Sequence, residues 1–235
     1  MDLFSLKDKV AVVTGAARGN GKAIADGFRS FGATVIGLDI IKSDDCILCD
    51  ITKSEEVKNC LSNYPVIDIL VNNAGVTYVH DFLEYPDKLW DKTYEVNLKA
   101  PYKLIQNVAQ KMKQGLGGSI INITSLNSEL AFPSNPAYIA FKGALKQLTK
   151  SAALDLGKYK IRVNNVGPGY LMTEMTKASW SDKEKSKQRQ EKTILNRWGK
   201  PEDLVGVSVF LASDASSYVT GQDIYVDGGW LTKGL

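Results

Sequence analysis

One histidine, three cysteines, seven prolines and no long apolar run in 235 residues leave little room for several classes of function. Cys46, Cys49 and Cys60 are an odd number, and the first nine residues mix charges with single apolar residues instead of forming a secretory leader, which argues against a disulfide framework. A zinc site on the C-x-x-C of Cys46 and Cys49 needs two more ligands, and Cys60 and His80 stand at no recognisable metal spacing, so no metal is expected. His80 reads as a surface or cleft-edge residue. No segment reaches bilayer-spanning length, so no membrane partner is expected and the chain is placed in the cytoplasm. The net charge of +3 is small and its signs are interspersed, which points away from nucleic acid.

What remains is the balance of a globular protein, 44% apolar and 23% charged, at the length of one domain. Lys9–Thr14 is an uninterrupted β-branched run, as expected of a strand buried on both faces of a parallel sheet. Gly15, Gly19 and Gly21 follow, then a helical pattern from Lys22 to Phe31. Strand, glycine-rich turn and helix in succession form a cradle for a pyrophosphate, because glycine admits close backbone approach and the helix start offers free N–H groups. A second strand, Thr34–Leu38, ends at Asp39, whose carboxylate can accept from ribose hydroxyls and repels a 2′-phosphate. Asp39 therefore favours NAD over NADP, although Arg18 in the glycine turn could pair with such a phosphate.

Only ten residues separate Asp39 from Asp50, too few for a full crossover helix, so a loop is expected there and the adenine side should be open. Asp50 and Ile51 are expected to end a third strand, with Thr52 or Ser54 capping a helix to Leu61. Further strands are expected at Ile67–Val71, Gly118–Thr124, Ile161–Val166 and Asp223–Asp227. Between them, Trp90–Lys113 reads as a long helix with Asn97 in its interior, where asparagine is a poor helix former and invites a reason. An apolar helix follows Pro201. Strands alternating with helices define an α/β doubly wound sheet with its ligands at the carboxyl ends of the strands. The polar stretch 173–196 reads as a segment covering a cleft, with Ser181 and Glu184 as a capping box.

Asn135–Gly157 carries a good N-cap, a proline at the first helical position and a closing glycine. Tyr138 and Lys142 are four residues apart and share one face of that helix. A phenol beside an ammonium can exchange protons, yet the same spacing occurs on ordinary amphipathic helices, so the pair gains meaning only from its setting.

That setting resembles the short-chain dehydrogenase/reductase family along essentially the whole chain. The markers occur in order: Thr14-Gly15 with Gly19 and Gly21, Asp50, Asn72 to Gly75, Asn97, Ser125, Tyr138, Lys142, Pro168-Gly169 with Thr173, Arg197-Trp198-Gly199, and Asp227-Gly228-Gly229. The resemblance implies a single Rossmann-type domain over 1–235, a three-layer αβα arrangement with seven parallel strands, commonly a homotetramer. It implies that Ser125 bonds the substrate oxygen, that Tyr138 exchanges a proton with it, that Lys142 favours the phenolate and holds the nicotinamide ribose, and that Asn97 supports a proton-relaying water. For the cofactor it implies Gly15, Arg18, Asn20 and Gly21 at the phosphates and adjoining ribose, Asp39 at the ribose, Asp50 and Ile51 at adenine, Asn73, Ala74 and Gly75 centrally, and Pro168, Gly169, Leu171 and Thr173 around the nicotinamide. Three positions depart from the family pattern: Asn20 replaces a branched apolar residue, Phe141 replaces a serine and is expected to alter the pocket floor, and the stretch after Asp39 is short.

The expected activity is NAD-dependent hydride exchange between a nicotinamide and a small alcohol or ketone. The carboxyl-terminal third resembles the gluconate 5-dehydrogenase and deoxy-keto-gluconate dehydrogenase branch, which implies a polyol, sugar or sugar acid, with Tyr78, His80, Asn127, Glu129, Tyr170 and Trp180 as candidate contacts. A 3-oxoacyl-thioester reductase is the rival enzyme, usually NADPH-dependent, and Asp39 speaks against it. A dinucleotide-binding sensor without chemistry would not need the Ser125, Tyr138, Lys142 and Asn97 set.

Overall fold

The computed structural model describes residues 2–233. Seven strands form one sheet: β1 (Val10–Thr14), β2 (Thr34–Asp39), β3 (Cys46–Leu48), β4 (Ile69–Asn72), β5 (Gly118–Ile123), β6 (Ile161–Pro168) and β7 (Asp223–Val226). All neighbouring pairs are parallel and the spatial order is β3-β2-β1-β4-β5-β6-β7. The direction of winding reverses between β1 and β4, which opens a crevice at their carboxyl ends.

The helices are α1 (Gly19–Ser30), α2 (Ser54–Leu61), α3 (Asp87–Tyr94), α4 (Ala100–Gln114), α5 (Pro136–Leu156), α6 (Lys177–Trp180), α7 (Lys183–Glu191), α8 (Val205–Ala212) and α9 (Trp230–Lys233). Alternation along the strands sorts them into two layers. Ala11, Val13, Val71 and Ile121 meet Ile24 and Phe28 of α1 and Val209 of α8. Val12, Leu70, Ile120 and Val163 meet Val57 of α2, Leu104 and Val108 of α4 and Ala152 of α5. Both sheet faces are covered, which explains the uninterrupted apolar strands.

The link between β2 and β3 is a loop, as its length requires. β3 pairs only with the last three residues of β2, so the chain has little distance to return. Gly37 makes room for that return, since a Cβ there would lie 2.9 Å from both the Asp45 carbonyl oxygen and the Cys46 sulfur. Ile40 is 70% exposed, in keeping with an open adenine side. The strand ends at Leu48, two residues before Asp50. Cys46 packs against the α1 layer and Cys49 lies in the opposite one, so the C-x-x-C thiols are separated by the sheet. Burial, reinforced by the Cys60 thiol, pushes Cys49 up to about 12.

Three local expectations are corrected. Neither Thr52 nor Ser54 caps α2; the Thr52 hydroxyl donates to Asp50 Oδ1 at 2.7 Å, and Lys53 occupies the cap position. Asp182, not Ser181, caps α7, accepting from the Glu184 and Lys185 N–H groups, both at 3.1 Å. The helix expected over Trp90–Lys113 is two α-helices joined by a π-helical turn, Glu95–Lys99, with Asn97 at its centre.

Candidate active site

Tyr138 and Lys142 lie one turn apart at the start of α5, as their spacing requires. Lys142 is 4% exposed, its Nζ donates to the Ile123 carbonyl at 2.6 Å, and it sits 5.7 Å from the centroid of the Tyr138 ring. Burial lowers Lys142 to about 8. The Tyr138 phenol is pushed up by burial, drawn back down by the Ser125 hydroxyl beside it, and pushed up again by nearby Tyr170. Ser125 follows β5 and is held by a local turn: its Oγ accepts from the Asn127 N–H at 3.1 Å and donates to Asn127 Oδ1 at 3.2 Å.

Asn97 explains the interruption of its helix. It is fully buried, Oδ1 accepts from the Val76 N–H and Nδ2 donates to the Val76 carbonyl, both at 2.8 Å. This latch ties the helix to the loop after β4, and a wide π turn often marks such a site. Gly75 lies between the two groups, since a Cβ there would be 3.4 Å from Asn97 Oδ1 and 3.8 Å from Lys142 Nζ.

Around β1 the chain forms a tight cradle. Gly15 and Gly19 adopt φ of +66° and +56°, and a Cβ on Gly21 would lie 2.1 Å from the Gly15 carbonyl oxygen. Asn73 binds the turn to the end of β4, its Nδ2 donating to the carbonyls of Thr14 at 2.9 Å and Gly15 at 3.2 Å, while Thr14 Oγ1 accepts from the N–H groups of Asn73 and Ala74. Asp39 closes one side: Oδ2 accepts from the Ala17 N–H and Oδ1 from the Ile41 N–H, both at 2.9 Å. Arg18 is exposed beside it. Asp50 Oδ1 accepts from the N–H and hydroxyl of Thr52, and the Ile51 side chain enters the core. Asn20 has a buried Oδ1 with no partner among the described residues, so the substitution of a polar for an apolar residue leaves an acceptor open within this cradle. A backbone concavity without side-chain bulk, a bordering carboxylate and an unused acceptor fit the phosphates and hydroxyls of a dinucleotide.

Pro168 ends β6, and Gly169 lets it approach β7, because a Cβ there would lie 2.6 Å from the Asp227 Cα. Leu171 turns its side chain into the core, and its carbonyl accepts from the Thr176 hydroxyl at 2.5 Å. The Thr173 methyl reaches toward Gly19, 3.7 Å from where a Cβ would stand. The glycine turn and the loop after β6 thus meet above the crevice.

Several candidate contacts prove committed elsewhere. Trp180 Nε1 donates to the Thr173 carbonyl at 2.9 Å, and Glu129 bonds Lys146 and the Tyr225 hydroxyl. Phe141 packs on Trp90 and Tyr94 of α3, at 4.9 and 5.5 Å between ring centroids, so it fills a helix contact and not the pocket floor. Tyr170 stands among Phe132, Trp198 and Trp230. The Arg197-Trp198-Gly199 marker is anchored by Asp203, which takes both Arg197 nitrogens at 2.7 and 2.9 Å.

A buried polar ladder escaped sequence reasoning. Asn72 Nδ2 donates to Asn122 Oδ1, Asn122 Nδ2 to Thr149 Oγ1, Thr149 Oγ1 to Asn165 Oδ1 and Asn165 Nδ2 to Asp223, over 2.6–2.8 Å. Asn72, Asn122 and Asn165 are in register across β4, β5 and β6. Asparagine within three largely apolar strands was the available signal. The ladder fixes α5 over the sheet and with it the height of Tyr138.

Comparison with known proteins bears on this arrangement. A family model described as enoyl-(acyl carrier protein) reductase matches residues 15–231. The 2-dehydro-3-deoxy-D-gluconate 5-dehydrogenase of Dickeya dadantii is 36% identical over 251 aligned positions, covering 99% of each chain. The chain belongs to the short-chain dehydrogenase/reductase family. An NAD-dependent glycerol dehydrogenase of Listeria innocua is also 36% identical, covering 98% of this chain and 96% of its own. The structure of a gluconate 5-dehydrogenase from Burkholderia cenocepacia in complex with NADP and tartrate superposes with a TM-score of 0.94 at 33% identity, over 98% of each chain. As a short-chain dehydrogenase/reductase, this protein is an oxidoreductase of CH–OH groups that uses a nicotinamide cofactor. Among the described residues no helix is long and apolar enough to cross a membrane.

Proposed function

We propose that this enzyme interconverts a secondary alcohol and a ketone on a polyol, sugar or sugar acid, with NAD preferred and with Ser125, Tyr138, Lys142 and Asn97 as its acid/base apparatus. The observation that carries the reading is the convergence of the Ser125 hydroxyl, the Tyr138 phenol and the buried Lys142 ammonium beside a backbone cradle. The nicotinamide, when bound, supplies the hydride chemistry. Ser125 donates to the substrate oxygen and fixes its distance from the Tyr138 hydroxyl. Tyr138 takes the proton from that oxygen in oxidation and returns it in reduction. The Ser125 hydroxyl counters the rise that burial imposes on the phenol, and Lys142, charged below about pH 8 and 5.7 Å from the ring centroid, would favour the phenolate as it forms. Asn97 has its amide committed to Val76, so its backbone carbonyl in the wide turn is the group that would hold a relay water.

The carboxylate of Asp39, pinned by two N–H groups, supports NAD, because a 2′-phosphate beside it would meet a fixed like charge. The hydroxylated acids and polyols in the relatives' names support the substrate class. Exposed Trp90, Tyr94 and Tyr102 on α3 and α4 support assembly through that face, as a tetramer. The segment 173–196, pinned at Trp180 and at Trp198, whose Nε1 donates to the Ser186 hydroxyl, acts as the cover over the substrate. Tyr138→Phe tests the mechanism: turnover of a polyol and sugar-acid panel should fall about 10²–10⁴-fold, with NADH fluorescence titration reporting cofactor binding separately. Undiminished turnover would remove Tyr138 from the reaction.

A further inference from the structure

Arg189 on the covering helix α7 is the residue of this region that the mechanism leaves without a role. Its guanidinium carbon lies 4.4 Å from the centroid of Tyr170, 5.5 Å from Phe132 and 5.9 Å from Trp230. The side chain is half-buried and makes no hydrogen bond or ion pair among the described residues. Its neighbours differ. Arg197 is paired through two nitrogens with Asp203, Lys233 donates to the carbonyls of Glu191 and Thr193, on α7 itself Lys185 pairs with Asp182 and Lys187 with Glu191, and the unpaired Lys183 and Lys192 are exposed to water. A guanidinium half-withdrawn from water onto three ring faces keeps its cation–π attraction, while its five N–H donors have no acceptor among the described residues and stay available to an anion.

The position of the cage says where the missing anion belongs. Phe132 lies on the connection that carries Ser125, Tyr170 directly follows Gly169, and Tyr170 is close enough to Tyr138 to disfavour ionisation of its phenol. The cage and the acid/base pair therefore border one cleft at the carboxyl ends of β5 and β6. We infer that Arg189 receives the carboxylate of a polyhydroxy acid whose reacting hydroxyl lies between Ser125 and Tyr138, so that the covering segment selects an acid over the corresponding polyol. Planar guanidinium matches carboxylate with two parallel hydrogen bonds, and the rings hold that plane before substrate arrives. This inference rests on the oxidoreductase reading above and adds to it the charge of the substrate and the residue that reads it.

The test compares gluconate with sorbitol, its uncharged six-carbon counterpart, in wild type, Arg189→Leu and Arg189→Lys. Leucine keeps apolar contact with the rings and removes the charge, and lysine keeps the charge without the planar fork. The kcat/KM ratio of gluconate over sorbitol should fall on the order of 100-fold in Arg189→Leu and about ten-fold in Arg189→Lys, mainly through KM for gluconate. An arginine that merely docks the cover would lower both substrates together, and a ratio within about two-fold of wild type would overturn the inference. Calorimetric titration of gluconate into the NADH-loaded protein separates the two readings. Turnover of sorbitol alone, with no gluconate binding, overturns the carboxylate site and leaves the oxidoreductase intact. Gluconate binding that Arg189→Leu abolishes, without turnover of either compound, overturns the polyol and sugar-acid reading and supports the site. Neither binding nor turnover overturns both.

Discussion

Removal of the Lys142 ammonium should stabilise the ligand-free protein while abolishing its turnover. At neutral pH this side chain is charged and buried, with the Ile123 carbonyl at 2.6 Å as its protein acceptor. Its fall from 10.5 to about 8, caused by burial, corresponds to about 3 kcal/mol by which the fold disfavours the charged form. In the unfolded chain the lysine keeps its ordinary value, so the penalty is present in full below pH 8, shrinks between pH 8 and 10.5 as the folded form releases its proton, and is absent above 10.5. Lys142→Met relieves it but leaves the Ile123 carbonyl without this donor, which costs about 1 kcal/mol. The net gain at pH 7 is about 2 kcal/mol, or roughly 4–8 °C in Tm for a chain of this length. Thermal unfolding followed by circular dichroism at pH 7 and pH 10 reads both parts, because the advantage of the variant should disappear at the higher pH. A variant less stable than wild type at pH 7, or an equal difference at both pH values, would refute the claim that the fold tolerates this charge at a cost.

Gly21→Ala places a methyl 2.1 Å from the Gly15 carbonyl oxygen and 2.4 Å from Asn73 Nδ2, so the glycine turn must open. NADH fluorescence should no longer titrate to saturation and chemical stability should drop by about 1–3 kcal/mol; normal NADH binding would show that the turn is not the phosphate cradle. Asp39→Ser removes the carboxylate pinned to Ala17 and Ile41. The ratio of NADPH to NADH dissociation constants should then fall about ten-fold or more, and an unmoved ratio would locate cofactor choice elsewhere. Asn122→Leu leaves the Asn72 amide without its acceptor and removes the donor to the Thr149 hydroxyl, which keeps Asn165. Urea unfolding should show a loss of about 2–4 kcal/mol, and a neutral result would mean that the ladder does not tie α5 to the sheet.

The strands and the Tyr138–Lys142 pair were readable because their signals lie within one element. Apolar runs specify a buried strand wherever both faces are covered, and an i, i+4 spacing places two side chains on one helix face. Asp39 belongs to the same group, since a carboxylate at a strand end has a fixed distance from the glycine turn beside it. The failures share a different cause: a polar group with two possible partners. Thr52 could cap α2 or bond Asp50, and the nearer carboxylate won. Ser181 and Asp182 were adjacent cap candidates; the Ser181 hydroxyl turned back to the Lys177 carbonyl and left the N–H groups of α7 to Asp182.

The same competition, over longer separations, hid the functional detail. Asn97 looks like a helix fault until Val76, twenty-one residues earlier, supplies both of its partners. Asn122 meets Asn72 across fifty residues, and only the strand register decides that the two coincide. Arg189 carries this competition furthest. In sequence it is one cation in the run Lys183–Lys192, and every local rule assigns such a run to a solvated face. Three rings from separate segments remove it from that face, Lys185 and Lys187 pair with Asp182 and Glu191, and Lys183 and Lys192 stay exposed to water, which leaves Arg189 as the half-buried cation of the run without an acid among the described residues. A specificity residue of this kind is defined by what the protein does not give it, so it becomes visible only once the partners of every neighbouring charge are known.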